Sequence, residues 1–242
     1  MKKILFAASE SVPFIKTGGL ADVVGSLPKN FDKKKYDVRV ILPKYTCMKD
    51  EWKEKMSFKT SFYMDYNWRS RYVGIFETVL DGITIYFIDN EEYFGGMTPY
   101  TSNAIWDIER FAFFSKAVLT ALPAIDFHPD IIHCHDWQTG LIPLLARSQY
   151  PGGMQENLKF LLTIHNIMYQ GKCGYEYLYD LLGIDAKYNT PEFMELNGCV
   201  DFLKAGCVFA DRINTVSPSY AQEICDPYYS EGLEGILNAR SH

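Results

Sequence analysis

Residues 130–150 of this 242-residue chain read DIIHCHDWQTGLIPLLARSQY, with an apolar start and a longer apolar end. The start predicts a short buried strand over 130–134, and the end predicts a helix over 139–150. A strand, a polar loop and a helix in this order form the repeating unit of parallel α/β sheets. The segment therefore favours an α/β fold, in which similar units should recur on both sides of it.

The same alternation recurs before and after this segment. Strands are predicted over 3–8, 36–42, 159–164 and 212–216, and helices over 18–31, 104–122, 198–210 and 218–224. Ser217 is suited to cap the last of these helices. Because strands and helices alternate, the sheet should be mainly parallel and doubly wound.

Three consecutive strands, 57–64, 71–79 and 82–88, interrupt the alternation. Asp81-Gly82 between the last two is a strong hairpin signal, so these strands should be antiparallel. The sequence thus predicts one α/β domain over residues 1–242. Its sheet should be Rossmann-like, doubly wound and mainly parallel, with a β-hairpin insertion.

Polar residues follow three of the predicted parallel strands. They are the loop that ends in Lys16-Thr17-Gly18-Gly19, then His135-Asp136-Trp137, and then His165-Asn166. Ligands of such sheets bind beyond the carboxyl ends of the strands. We therefore expect these three loops, distant in sequence, to line one crevice.

The glycine pair of the first loop opens a predicted helix. Backbone N–H groups there could approach an anion closely, the helix dipole would add partial positive charge, and Lys16 would add a full charge for a phosphate. The alternative is a plain strand-to-helix turn whose glycines serve the backbone. The pattern is neither a Walker A loop nor GxGxxG.

His133 and His135 should share one face of their strand. An HxH pair at a strand end can bind zinc, but it needs further ligands, and only His128, His165 and His242 remain as histidines. We favour the alternative of one buried histidine and one crevice histidine without metal.

The other polar residues at the strand ends suit a sugar. Asp136 could bind hydroxyl groups, Trp137 could stack on a pyranose ring, and His165 and Asn166 could hydrogen-bond hydroxyls. A structural loop histidine is the alternative for His165. Lys204, Glu195, Asn197 and Asp201 are expected at the surface or as helix caps.

Composition narrows the function classes. The net charge of −6 and the lack of a basic patch argue against nucleic-acid binding. No apolar run is long enough to span a membrane, and residues 1–3 lead directly into a strand rather than a secretory signal. The six cysteines form no CxxC pair. We expect a cytoplasmic protein without a bound metal.

Five segments together resemble one family. They are KTGGLADVVGSLPK (16–29), HCHDWQTGLIP (133–143), TIHNIMYQG (163–171), NGCVDFLKAG (197–206) and TVSPSYAQEI (215–224). In this order they resemble the motifs of bacterial-type glycogen and starch synthases. The stretch over about 44–75 is the least similar to that family.

The resemblance implies a retaining glycosyltransferase of the GT-B architecture, in which two Rossmann-like domains face each other across a cleft. It implies transfer of glucose from ADP-glucose, as donor substrate and without a cofactor, to the non-reducing end of an α-1,4-glucan. The family's C-terminal nucleotide-binding domain would be absent from these residues. We therefore expect this chain alone to be inactive or nearly so.

The resemblance also implies roles for single residues. The donor diphosphate is expected to meet Lys16, Gly18, Gly19 and Asp22. The residues at the transferred glucose, expected to be catalytic, are His165 and Asp136. The sugar and the acceptor glucan are expected to meet Tyr93, Trp137, Asn166 and Asn197. The implied mechanism has no enzymic nucleophile, because the donor phosphate itself helps to deprotonate the incoming hydroxyl.

Two other functions remain open from the residues themselves. One is a metal-dependent hydrolase that uses His133 and His135. The other is a glucan-binding module without catalysis. Stoichiometric zinc would favour the first, and binding of maltooligosaccharides without turnover would favour the second.

Overall fold

The computed structural model describes residues 1–150, 153 and 157–241. His242, one of the histidines considered as a zinc ligand, lies outside the described residues. The strands of the described part are β1 (Lys2–Ala7), β2 (Tyr36–Pro43), β3 (Ser57–Tyr66), β4 (Arg69–Leu80), β5 (Ile83–Asp89), β6 (Ile131–His135), β7 (Lys159–Ile164), β8 (Lys172–Cys173), β9 (Glu195–Leu196), β10 (Cys199–Asp201) and β11 (Arg212–Thr215).

Eight of these strands form one sheet in the order β11-β7-β6-β1-β2-β5-β4-β3. The pairs from β11 to β5 are parallel, and β4 is antiparallel to both β5 and β3. This confirms the predicted Rossmann-like, mainly parallel sheet with an antiparallel insertion. The turn between β4 and β5 is formed by Asp81 and Gly82, which both have positive φ, of 53° and 75°. Such a turn matches the twist of a hairpin.

Seven of the helices in the described residues lie between strands along the chain, and two follow the last strand. They are α1 (Gly19–Ser26), α2 (Asp50–Lys53), α3 (Glu91–Phe94), α4 (Ala104–Ala124), α5 (Leu141–Gln149), α6 (Tyr175–Leu182), α7 (Phe202–Phe209), α8 (Pro218–Glu223) and α9 (Glu234–Ala239). As predicted, the hydroxyl of Ser217 caps α8 by accepting the N–H of Tyr220 at 3.1 Å. None of the described helices is long and apolar enough to cross a membrane.

The prediction of a helix over 198–210 was wrong at its start. Residues Cys199–Asp201 form β10, the middle strand of a small sheet of order β8-β10-β9, and the helix begins only at Phe202. The reason lies in Asp201, whose carboxylate accepts the N–H of Lys204 at 2.8 Å. This contact caps α7, so the residues before Asp201 remain extended and pair with β8 and β9.

The sheet order reverses between β1 and β6. From β1 the chain moves outward through β2 to β5, and it then returns to place β6 on the other side of β1, with Ile4 opposite Ile131 and Ala7 opposite Cys134. A reversal of this kind separates the loops that follow the two strands and opens a crevice at their carboxyl ends. The loops after β1, β6 and β7 therefore lie at the edge of the sheet where ligands of such folds bind.

Candidate functional site

Asp136 joins the ends of β6 and β7. Its backbone has a positive φ of 55°, and its N–H donates to the carbonyl of Thr163 on β7 at 3.0 Å. Its Oδ1 accepts the N–H of His165 at 2.6 Å and that of Asn166 at 3.4 Å. The predicted convergence of these two loops is therefore present. We call the space beside residues 8–19, 136–140 and 165–171 the strand-end crevice.

The carboxyl of Asp136 is buried, and this changes its acidity. Burial raises the pKa of Asp136 from 3.8 to about 7, against the opposing effect of the N–H groups of His165 and Asn166. The negative charge of Glu10, which also raises this pKa, shows that the loop after β1 approaches Asp136. The charge of Asp136 therefore changes within the neutral pH range.

Three histidines near this carboxyl contact one another. His133 and His135 share a strand face as predicted, and their ring centroids lie 4.2 Å apart. Nδ1 of His135 lies 2.9 Å from Nε2 of His165, and Nε2 of His133 lies 2.6 Å from the hydroxyl of Thr163. The expectation that one of the HxH pair opens into the crevice was wrong, because both rings are buried. His165, which is half-buried, is the crevice histidine.

The histidine cluster does not have the arrangement of a metal site. Burial lowers the pKa of His133 to about 3 and that of His165 to about 4, and it lowers the pKa of His135 still more strongly from its usual value, so all three rings are neutral at pH 7. Within the described ranges, no three His, Cys, Asp or Glu side chains are grouped to hold an ion. The ring nitrogens bond instead to each other and to Thr163.

Trp137 supports the loop after β6 from inside the core. Its indole is only 8% exposed and packs against Phe111 on α4 and Phe202 on α7, with centroid distances of 5.2 and 6.1 Å. A Cβ added at Gly171, whose φ is +69°, would lie 2.2 Å from the indole. The structure thus encloses the ring that we expected to stack on a sugar.

The loop after β1 depends on Glu10, which sequence reasoning missed. This carboxylate is buried and accepts the hydroxyl of Thr17 at 2.9 Å and also its backbone N–H. The hydroxyl of Tyr100 lies 3.3 Å from Glu10 and 2.8 Å from the hydroxyl of Ser9. The available signal was an acidic residue three positions after an apolar strand, where burial needs a partner.

Gly18 and Gly19 begin α1 on the exposed side of this loop. A Cβ at either position would meet nothing within 4 Å, and neither residue has positive φ. Gly18 is the N-cap of α1, with an extended backbone and no side-chain cap, and open space adjoins both glycines. Lys16 is exposed beside them, and its Nζ forms an ion pair with Asp22 at 2.8 Å.

Tyr93 does not face open solvent. Its side chain is fully buried, its ring stacks on Trp106 and Phe113, and its hydroxyl donates to Glu109 at 3.0 Å and accepts from Arg71 at 3.2 Å. These contacts join the antiparallel insertion to α4. The structure thus places Tyr93 in a packed junction, whereas we expected it to face the acceptor.

Asn197 lies at the surface, whereas Lys204 does not. Asn197 is exposed in the turn between β9 and β10, where it and Gly198 have positive φ of 54° and 82°. Lys204 was expected to face solvent, but it is only 8% exposed. Its Nζ donates to the carbonyls of Pro191 and Glu195, at 2.6 and 2.5 Å, and so ties α7 to the small sheet.

A family assignment follows from comparison with known proteins. The model of the starch synthase catalytic domain matches residues 3–239, which is nearly the whole chain. This chain belongs to the starch synthase catalytic domain family. The family resemblance of the sequence motifs is thereby confirmed.

Individual relatives agree with the starch synthase assignment. The chain is 53% identical to the glycogen synthase of Lachnospira eligens over its full length, and 53% identical to that of Lachnoclostridium phytofermentans. It covers 51% and 50% of those two proteins. The chain therefore spans about half the length of the curated relatives it matches.

A solved structure of the family has the same fold. The catalytic domain of starch synthase IV from Arabidopsis thaliana, bound to ADP and acarbose, superimposes with a TM-score of 0.89 at 30% identity. The match covers 99% of this chain and 50% of that one. The predicted α/β architecture of a starch synthase domain is thereby confirmed.

The strand-end crevice has two kinds of polar group along it. At one side, a helix start with open glycines and a lysine is suited to an anion. At the other side, His165 and the exposed Asn166 offer ring and amide groups suited to hydroxyls. The side-chain oxygen of Asn166 accepts the N–H of Met168 at 3.0 Å, which leaves its NH₂ group as the part that can reach a ligand.

Proposed function

We propose that this chain forms one wall of a glucosyltransferase site. The reaction is the transfer of glucose from ADP-glucose to the non-reducing end of an α-1,4-glucan, with retention of configuration. The observation that carries the proposal is the full-length match to a starch synthase domain, together with the relatives named glycogen synthase. The related starch synthase IV with bound ADP and acarbose supports a nucleotide and a glucan-like sugar as ligands.

The donor diphosphate is proposed to bind at the start of α1. A Cβ at Gly18 or Gly19 would meet nothing within 4 Å, so there is open space beside the start of α1 for phosphate oxygens to approach its N–H groups. Lys16 would exchange its exposed contact with Asp22 for a phosphate oxygen, at small energetic cost, because exposed ion pairs contribute little. Asp22 then holds Lys16 in place when the donor is absent.

The transferred glucose is proposed to lie against His165 and Asn166. Asp136 holds both backbone N–H groups, so it orients this turn rather than contacting the sugar through Oδ1. Precise placement of the reacting groups is a large part of the rate enhancement in such a transfer. Trp137, Tyr93 and Asn197 act indirectly in this proposal, through the packing and the turns described above.

The mechanism is proposed to use no enzymic nucleophile. An oxygen of the leaving diphosphate would accept the proton of the incoming glucan hydroxyl, while positive groups stabilise the negative charge that develops. Further positive groups and the nucleotide pocket would come from a second, C-terminal domain facing this crevice. The lack of a cofactor, the cytoplasmic location and the inactivity of this chain alone stay predictions.

Calorimetric titration of maltopentaose into this chain tests the proposal. Saturable binding that His165→Ala weakens would support a sugar site at the strand ends. His128→Ala is the matched control, because it removes a histidine outside the crevice, and it should bind like the original chain. Binding that both variants retain equally would contradict the placement at His165. A zinc assay on the same sample tests the hydrolase alternative.

A further inference from the structure

The hydrogen bond between His135 and His165 requires one donor and one acceptor. Nδ1 of His135 lies 2.9 Å from Nε2 of His165. The lowered pKa values of both rings keep them neutral at pH 7, so each ring carries a single N–H. Only two arrangements are therefore possible, and they leave the proton of His165 on different nitrogens.

The other nitrogen of His135 decides between these arrangements. Nε2 of His135 is fully buried and has no hydrogen-bond partner among the described residues. If His165 donated, His135 would carry its proton on Nε2, as a buried N–H without an acceptor. If His135 donates from Nδ1, its Nε2 holds only an unpaired lone pair. Buried N–H groups without a partner are the rarer and costlier of the two.

Neighbouring contacts hold the ring of His135 in its position. The hydroxyl of Thr163 donates to Oδ1 of Asn214 at 2.6 Å, so it accepts from Nε2 of His133, also at 2.6 Å. The ring of His133 is held in this way, and the ring of His135 stacks on it. Phe6 on β1 packs on the same two rings, with centroid distances of 4.6 and 5.7 Å.

We propose that His135 is a positioning residue that holds His165 as the Nδ1–H tautomer. His165 then meets its ligand as a hydrogen-bond donor through Nδ1, and it cannot act as a base through that nitrogen. The nature of that ligand rests on the proposed function, in which it is an oxygen of the transferred sugar. The tautomer itself rests only on the buried contacts of the three histidines.

Nitrogen-15 NMR of this chain with labelled histidines tests the tautomer directly. Long-range correlations from the ring protons distinguish a protonated nitrogen from a bare one, and single substitutions assign the five histidines of the chain. We expect His165 and His135 to carry hydrogen on Nδ1, and His133 to carry it on Nε2. A His165 ring that is mainly Nε2–H, or an even mixture of both forms, would overturn the proposal.

Two substitutions of His135 test its role in positioning. In His135→Asn, an amide N–H can take the place of Nδ1–H, so His165 should keep its tautomer. In His135→Phe the donor is lost, so His165 should shift toward Nε2–H, and the maltopentaose dissociation constant should rise roughly threefold to tenfold. If His135→Phe does not fold, the spectra of the original chain and of His135→Asn still show which tautomer His165 adopts.

The outcomes separate this inference from the proposed function. The tautomer is measured without any sugar, so an Nδ1–H His165 in a chain that binds no maltopentaose would keep this inference and contradict the function. An Nε2–H His165 in a chain that binds maltopentaose would contradict this inference and support the proposed function. A His135→Phe chain that keeps the Nδ1–H form would show that another group sets the tautomer.

Discussion

Asp136 Oδ1 accepts the backbone N–H of His165 at 2.6 Å, across the gap between two neighbouring parallel strands. The contact joins a buried carboxyl to the residue that begins the turn after β7. It makes the geometry of one loop depend on the charge of a residue in another. This contact and the contacts around it have effects on stability and binding that can be measured.

The pH dependence of stability should carry the signature of Asp136. Because burial raises its pKa from 3.8 to about 7, the folded chain holds a proton that the unfolded chain releases above about pH 4. From about pH 4 to about pH 7, the proton is lost mainly from the unfolded chain. The free energy of unfolding therefore falls as pH rises through this range. Asp136→Asn has no such group, so its stability relative to the original chain should rise over this window, by at most about 1.4 kcal/mol per pH unit.

Urea denaturation of both chains at intervals between about pH 4 and about pH 8 would measure this difference. The comparison cancels the contributions of the buried histidines, which are present in both chains. A stability difference that stays constant across the window would show that Asp136 ionises like an exposed carboxyl.

Removal of the Glu10 carboxylate should weaken anion binding at α1. In Glu10→Ala the Thr17 N–H and hydroxyl lose their acceptor, so the residue next to Gly18 loses both of these contacts. We expect the ADP dissociation constant to rise about tenfold, whereas maltopentaose affinity changes little. Calorimetry with each ligand checks this, and Glu223→Ala on exposed α8 serves as the control. Equal ADP affinity in Glu10→Ala and the original chain would refute the role.

Substitution of Gly18 should separate ligand binding from folding. A Cβ there meets nothing within 4 Å and Gly18 is the N-cap of α1, so Gly18→Ala should lower the free energy of unfolding by no more than about 1 kcal/mol. The added methyl group would nevertheless stand where a phosphate approaches, so ADP binding should weaken. At Gly140 a Cβ would lie 2.2 Å from the carbonyl oxygen of Phe202, so Gly140→Ala should cost about 1–3 kcal/mol.

Thermal and urea unfolding of the two glycine variants, with ADP titration of the folded ones, would test this contrast. A large loss of stability in Gly18→Ala would mean that the glycine serves the backbone, which is the alternative considered from the sequence.

Tyr93→Phe should act on stability and leave glucan binding unchanged. The substitution removes a hydroxyl that donates to Glu109 and accepts from Arg71, and it keeps the stacked ring. The loss of these contacts should lower the free energy of unfolding by about 1 to about 3 kcal/mol. Maltopentaose affinity measured on folded Tyr93→Phe decides the role, because a clear loss of affinity would restore the acceptor contact implied by the family resemblance.

Local sequence patterns were sufficient for most of the fold. Alternating apolar segments located the strands, and Asp81-Gly82 and Ser217 marked a hairpin and a cap, because these signals act within a few residues. The segment before Phe202 was assigned wrongly, although Val200 is β-branched and favours a strand. Asp201 caps α7 at its start, and pairing with both β8 and β9 keeps Cys199 and Val200 extended.

In the candidate site, too, one part could be predicted from the sequence and another part depended on the tertiary structure. The chain order of strands and helices was enough to bring Asp136 and His165 together, because parallel strands end at the same edge of a sheet. The enclosure of Trp137, Tyr93 and His135 was decided only by the tertiary structure. A side chain's exposure depends on which distant segments cover it, and no local pattern of residues specifies that packing.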